Sequence, residues 1–317
     1  MHWLAELDGR RVTVEVPATS ANLGAGYDCL GLALDLTDRI TVEVLGWTRA
    51  GIDLSVDGEG ADELPATVQN RFVQGLEAAL SAAHGELPPG AGWRVEMSNR
   101  IPLARGLGSS AAATVGGLVA GNCLAGEPLS ARDLLRLASG IEGHPDNSAA
   151  AILGGFVVVG QTDEGLDAIR FAAPRDLRAI LFIPERRLST AEMRSVLPAA
   201  VPLEDAGANL GRLALGVVGL ASGRSDLLRS LTVDRIHEPY RAAVYPELPR
   251  LVGAAREAGA IGACLSGSGS TVIAFVDTMS AIARVEAAFT AVAADTDLPG
   301  RIEVVAPRDR GASVVPS

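Results

Sequence analysis

The segment Pro102–Ala113, PLARGLGSSAAA, sets two glycines ahead of two serines and a run of alanines. Gly106 and Gly108 let the backbone turn tightly and approach a ligand with no Cβ in the way. Ser109 and Ser110 stand where a small, apolar, proline-free stretch begins, which predicts a buried helix over Ser109 to Leu124. The free N–H groups and positive dipole end of such a helix make an anion site. A serine hydroxyl there can also ligate Mg2+. Taken alone, the segment also fits a plain Gly-rich turn with a serine N-cap.

Three further segments carry polar groups on a Gly-rich backbone. Val16–Leu34, VPATSANLGAGYDCLGLAL, clusters Thr19, Ser20, Asn22 and Asp28 in an apolar setting, after Pro17, where the first strand is expected to end. Gly262–Thr271, GACLSGSGST, offers hydroxyls and N–H groups that suit an anion-binding nest or a hairpin turn. Glu142-Gly143-His144-Pro145-Asp146-Asn147 supplies a carboxylate suited to Mg2+ and donors and acceptors for a polar substrate. A zinc site at His144 is not expected, because no second His or Cys stands at suitable spacing.

The chain has 317 residues, enough for two lobes, and at 48% hydrophobic and 21% charged it is ordinary globular material. Its net charge is −11, with no basic stripe, which argues against nucleic acid as a partner. All 27 basic residues are arginine. The absence of lysine excludes a Walker A loop and lysine Schiff-base chemistry. Cys29, Cys123 and Cys264 are odd in number and widely spaced, which suits buried packing in a reducing, cytoplasmic setting. No basic start followed by an apolar run opens the sequence, and no apolar run approaches the roughly 20 residues of a membrane span.

Alternation at Val12–Val16, Ile40–Val44 and Trp93–Met97 predicts half-buried strands. Asp53 to Pro65 reads as a surface connection, Val68 to Ala83 as a helix, and Ser130 to Gly140 as a helix capped by Ser130. Further strands are expected at Phe156–Val159, Ala179–Ile183, Ile261–Leu265, Thr271–Val276 and Ile302–Val305. Helices are expected near Leu203–Ala221, Ser225–Leu231, Glu247–Ala258 and Ile282–Val292. Gly311 to Ser317 is expected to fray. The pattern implies an α+β fold, with lobes at residues 1–162 and 163–317.

The Gly-rich segments, in this order and at these separations, resemble the GHMP kinase superfamily. PATSANLGAGYD at Pro17–Asp28 and EGHPDN at Glu142–Asn147 are most similar to the homoserine kinases. STAEMR at Ser189–Arg194 and DRIHEPYR at Asp234–Arg241 support that likeness. The resemblance implies a two-lobed fold, with an N-terminal lobe like ribosomal protein S5, a C-terminal ferredoxin-like α/β sandwich, and a homodimer. It implies ATP-dependent phosphorylation of L-homoserine to O-phospho-L-homoserine, in threonine biosynthesis. The rival readings are another kinase of the superfamily, of mevalonate or sugar type, and a non-catalytic ligand sensor with the same fold.

Roles follow from the same resemblance. ATP would lie against Pro102, Leu103, Ala104, Arg105, Gly106, Leu107, Gly108, Ser109, Ser110, Ala111 and Ala112, against Ser266, Gly267, Ser268 and Gly269, and with adenine near Asn70. Arg105 is the charge expected nearest the phosphates. Glu142 with Ser109 or Ser110 would hold Mg2+. Asn22 and Asp28 would hold the substrate, Asp28 at its ammonium group. Arg194 and Arg241 would grip its carboxylate, Thr190 would order it, and His144 would touch it near the reacting hydroxyl. Asn147 stands where mevalonate-kinase-like relatives place an aspartate base. Transfer without a side-chain base is therefore expected, with Asp146 the lesser candidate for one.

Overall fold

A computed structural model describes residues 3–46, 50–88 and 90–316. The first layer is a seven-stranded sheet built from β1 (Arg11–Ala21), β2 (Leu30–Val44), β3 (Gly51–Gly58), β4 (Gly92–Asn99), β5 (Phe156–Thr162), β6 (Gly165–Phe171) and a late strand described below. Four helices belong with it: α1 (Arg71–His84), α2 (Ser109–Leu124), α3 (Ala131–Glu142) and α4 (Asp146–Leu153). The long β2 serves two neighbours, pairing Arg39–Val44 with β4 and Leu30–Leu32 with β5.

The alternating valines of β1 are buried, and α2 lies over the strand. Glycines set how closely α2 meets α1. A Cβ on Gly117 would fall 1.9 Å from the Phe72 carbonyl oxygen, and one on Gly75 2.1 Å from that of Thr114. The two helix backbones therefore touch, and the amino end of α2 is fixed against the sheet.

The second layer holds β7 (Arg178–Pro184), α5 (Thr190–Ser195), α6 (Leu203–Ala221), α7 (Leu228–Leu231), α8 (Glu238–Arg241), α9 (Leu248–Glu257), β8 (Gly262–Leu265), β9 (Val272–Val276), α10 (Met279–Asp295) and β10 (Gly300–Val305). Its four strands run in the order β10-β7-β9-β8, and the chain order within it, strand, helices, two strands, helix, strand, gives the expected ferredoxin-like sandwich. A second apolar core, including Phe182, Leu251, Val285 and Phe289, lies under α9 and α10.

Several expectations need correction. Pro17 does not end β1: the strand runs on to Ala21 through a register shift between Pro17 and Ala18, where a missing N–H is tolerated. Asp53 to Pro65 is not all connection, since Gly51–Gly58 forms β3, a half-exposed edge strand parallel to β4. Gly311 to Pro316 is not frayed. Ser313–Val315 forms β11, which pairs with Glu15, Val14 and Thr13 of β1; Ser317 lies outside the described residues. The division after Thr162 falls in the turn between β5 and β6, and both strands, like β11, belong to the first sheet.

Candidate active site

The loop between β4 and α2 is held open by its glycines and by its neighbours. Gly108, not a serine, occupies the N-cap of α2 with φ +71°, and no side chain caps the helix. The amino-terminal amides stay available to a ligand, and Ser109 and Ser110 open the first turn. A Cβ on Gly108 would fall 2.0 Å from Thr19 Oγ1, and one on Gly106 2.2 Å from the Ser266 carbonyl oxygen. Thr19 N–H donates to the Leu107 carbonyl at 3.0 Å, Thr271 N–H to that of Arg105 at 3.0 Å, and Gly267 N–H to that of Ala21 at 3.0 Å. Three segments far apart in sequence thus form one interlocked floor.

Over this floor lies a cavity of about 360 Å3. Gly106, Gly108, Ser109, Ser110 and Ala111 line it on one side, Glu142, His144 and Asn147 on a second, and Thr190, Gly267 and Ser268 on a third. A smaller apolar cavity of about 170 Å3, lined by Ile40, Leu64, Pro65, Met97 and Asn70 among others, shares Arg71, Ser109 and Ser110 with it. Asn70 is buried there and caps α1, its Oδ1 accepting from Phe72 N–H at 3.0 Å.

Glu142 ends α3, with Gly143 in the left-handed conformation behind it. Its carboxylate is nearly buried and accepts from Ser110 Oγ at 2.9 Å and Thr114 Oγ1 at 2.6 Å, with Arg71 Nε at 3.7 Å. Among the described residues no three carboxylate, His or Cys side chains gather as a complete metal cage. One buried carboxylate beside a serine hydroxyl and the open amides at the amino end of α2 suits Mg2+, which takes most of its ligands from phosphates and water.

The cluster beside this cavity is built from opposite charges. Arg194 on α5 forms a two-point ion pair with Asp28, Nη2–Oδ1 2.6 Å and Nη1–Oδ2 3.0 Å, and donates to Tyr27 Oη at 2.8 Å. Asp28 adopts φ +55°, and its N–H donates to Asn22 Oδ1 at 3.0 Å. Arg241 is fully buried and donates to the carbonyls of Met193 and Gly267 and to His237 Nδ1. Burial pushes His237 down to about 4, so it is neutral, its Nε2 donating to the Gly24 carbonyl. Both guanidinium carbons stand over the Tyr27 ring, at 5.6 and 5.7 Å from its centre, so one aromatic ring steadies two like charges.

His144 Nδ1 lies 3.2 Å from Asp146 Oδ1, and that bond raises the imidazole above its ordinary range against the opposing effect of burial. Asp146 Oδ1 also accepts from Asn147 N–H at 2.7 Å, and Asn147 Oδ1 accepts from Thr19 Oγ1 at 2.8 Å.

The structure thus brings Ala104, Gly106, Gly108, Ser109, Ser110, Ala111, Glu142, His144, Asn147, Thr190, Gly267 and Ser268 to one cavity, and Leu103 to the smaller one, whereas Pro102, Leu107, Ala112, Ser266 and Gly269 lie buried behind the lining. Asn22, Asp28, Arg194 and Arg241 form an adjoining cluster, tied to the larger cavity where Asn22 Nδ2 and Arg241 Nη1 both donate to the Gly267 carbonyl. Arg105 does not serve as expected: its guanidinium donates to the carbonyls of Leu103, Pro184 and Glu185. Arg71 is the arginine that lines both cavities. The sequence reading missed Arg71, Tyr27, Thr114 and His237. The available signals were the aromatic residue preceding Asp28 and the place of His237 inside the DRIHEPYR segment.

Comparison with known proteins agrees with this architecture. The family described as "GHMP kinases N terminal domain" matches residues 70–155, and "GHMP kinases C terminal" matches residues 218–295. The homoserine kinase of Moorella thermoacetica is 40% identical over 302 residues, covering 95% of this chain and 99% of that one. That of Corynebacterium efficiens is 41% identical over 309 residues, covering 94% and 97%. The crystal structure of homoserine kinase from Cytophaga hutchinsonii superposes with a TM-score of 0.85 at 30% identity, covering 96% and 97%. Galactokinase from Lactococcus lactis, at 15% identity and a TM-score of 0.72, shares the fold alone. On sequence and on structure, the chain belongs to the homoserine kinase family of the GHMP kinases.

Proposed function

We propose that the chain transfers the γ-phosphoryl group of ATP to the hydroxyl of L-homoserine, giving O-phospho-L-homoserine for threonine biosynthesis in the cytoplasm. One observation carries the reading: a single cavity joins the open amino end of α2 to His144, Asn147 and Thr190, and the Asp28–Arg194 pair stands beside its far end. Adenine fits the small apolar cavity beside Asn70, and the triphosphate fits the α2 amides with Arg71 at its flank. Glu142 and Ser110 are the residues that would hold Mg2+, which when bound would neutralise phosphate charge. No helix among the described residues is long and apolar enough to cross a membrane.

The residues act mainly by placement. Phosphoryl transfer through a loose transition state asks for alignment and charge neutralisation. Holding two reactants in line supplies roughly 7–11 kcal/mol, whereas a general base is worth only ~10²–10⁴ in rate. Asp146 is buried and engaged with His144 and the Asn147 amide, which supports a positioning role for it. Asn147 cannot take a proton, so the transferred phosphoryl group accepts it late in the reaction.

The test is ADP release by purified protein with ATP, Mg2+ and L-homoserine, against a control lacking homoserine. Homoserine-dependent turnover that collapses in Arg194→Ala supports both reaction and substrate. No stimulation in protein that binds ATP overturns the substrate assignment, and comparison with mevalonate and galactose then identifies the acceptor class.

A further inference from the structure

The small apolar cavity beside Asn70 has one polar corner. Ile40 on β2 and Met97 on β4 are register partners, and both line the cavity. Two residues along each strand, on the same face of the sheet, stand Asp38 and Asn99, which line it too. Asp38 is buried, and its Oδ1 accepts from Arg100 N–H at 2.6 Å and from Ile101 N–H at 2.9 Å. Its Oδ2 has no hydrogen-bond donor among the described residues. Asn99 donates through Nδ2 to the Glu59 carbonyl at 3.1 Å, and its buried Oδ1 has no partner among the described residues. Asn70, by contrast, commits both ends of its amide to the protein, at Phe72 N–H and the Pro65 carbonyl. One wall of the cavity therefore holds two acceptors in want of a donor, an arrangement that is costly until a donor arrives. Burial, the largest influence on Asp38, pushes its carboxyl up to about 6, so it is an ionised acceptor above neutral pH.

We propose, on the ATP reading given above, that Asp38 selects the base of the nucleotide, its Oδ2 accepting from the 6-amino group of adenine with Asn99 Oδ1 beside it. An amino group brings two N–H donors, whereas a 6-oxo purine presents an acceptor at the same place. A carboxylate attracts the first and repels the second. Ile40 and Met97 make apolar contact with either kind of ring, so the choice between 6-amino and 6-oxo nucleotides rests on the polar corner.

Calorimetry of the full chain with three nucleotides tests this. They are ATP, its 6-oxo counterpart ITP, and purine riboside triphosphate, which has hydrogen in place of the amino group. The unaltered protein is expected to bind ATP roughly 10–100-fold more tightly than either analogue, the size of one hydrogen bond to a charged group. Asp38→Asn keeps Oδ1 for the two backbone amides and puts an N–H donor where Oδ2 stood. In that variant ATP affinity is expected to drop and ITP affinity to rise, changing their ratio by at least ~10-fold. Should the variant fold poorly, the comparison of ATP with the amino-free analogue in the unaltered protein decides alone. Equal affinity for those two, or an unchanged ATP-to-ITP ratio in folded Asp38→Asn, overturns the role of Asp38 and leaves the kinase reading standing. A chain that binds none of the three overturns both.

Discussion

Asp28 and Arg194, 166 residues apart, neutralise each other through two hydrogen bonds. A ligand with only one charge would break that pair and leave one partner unmatched. An amino acid offers each partner a replacement, its ammonium group to Asp28 and its carboxylate to Arg194. Arg194→Ala is expected to lower kcat/KM for homoserine by about 10²-fold, mostly through KM, since hydrogen bonds to charged groups are worth roughly 1.5–3 kcal/mol. Arg194→Lys is expected to restore little, lacking the planar two-point geometry. Steady-state kinetics decide it, and an unchanged KM would remove Arg194 from the clamp.

Arg71 lines both cavities beside Glu142. Arg71→Ala is expected to raise KM for ATP roughly 10–100-fold while leaving KM for homoserine alone. Calorimetry separates charge recognition from structural damage: ADP affinity falls in the variant, and adenosine affinity does not. Equal losses for both ligands would reduce Arg71 to a brace for α3.

The Asp146–His144 bond keeps the imidazole more basic than usual. Its stabilising effect is full at low pH and is lost as pH rises through the raised pKa. In Asp146→Asn, NMR titration is expected to show that pKa moved down. The loss in kcat at pH 8 is expected to stay well under ~10³-fold. A larger loss in folded protein would make Asp146 the base.

Gly108 and Gly126 both have positive φ, +71° and +86°, yet a Cβ meets Thr19 at the first and nothing at the second. Each Ala substitution carries about 1–2 kcal/mol of backbone strain and is expected to lower the melting temperature by a few degrees. Only Gly108→Ala is expected to lose nucleotide binding as well. Thermal melts with and without ATP distinguish the two.

Burial pushes Glu238 up to about 8 from 4.5 and His237 down to about 4 from 6.5. The folded chain keeps the Glu238 proton where the unfolded chain has released it, so stability falls as pH rises from 4.5 to 8. The His237 contribution falls in the other direction, as pH drops from 6.5 to 4. The Glu238 and His237 slopes oppose each other between 4.5 and 6.5, and above 6.5 Glu238 acts in the same direction as the raised His144. Glu238→Gln, which can still accept from Leu265 N–H, is expected to flatten that upper limb in urea titrations.

What was legible in the sequence was local chemistry. Gly106, Gly108 and the proline-free run after Ser109 specify a turn and a helix without outside help, and Ser130 with Asp133 spells a capping box that the structure contains. The contacts that finish the site are not local. Arg71 meets Glu142 only because glycines let α1 and α2 touch, and Tyr27 meets Arg241 across more than two hundred residues. Arg105 looked like a phosphate ligand by adjacency, but two carbonyls at the end of β7 and that of Leu103 in its own loop claim it. Strand β3 was hidden because a half-exposed edge strand carries too many acids to read as anything but loop, and β11 because three residues show no period.

The pairing of β11 with β1 has a consequence for biosynthesis. Thr13 leaves the ribosome long before its partner Val315, so the edge of β1 waits unpaired while the second lobe is made. Final closure of the nucleotide-binding lobe thereby waits for a strand made after the whole second lobe, and a nascent chain stalled before residue 313 would present an open strand edge to chaperones.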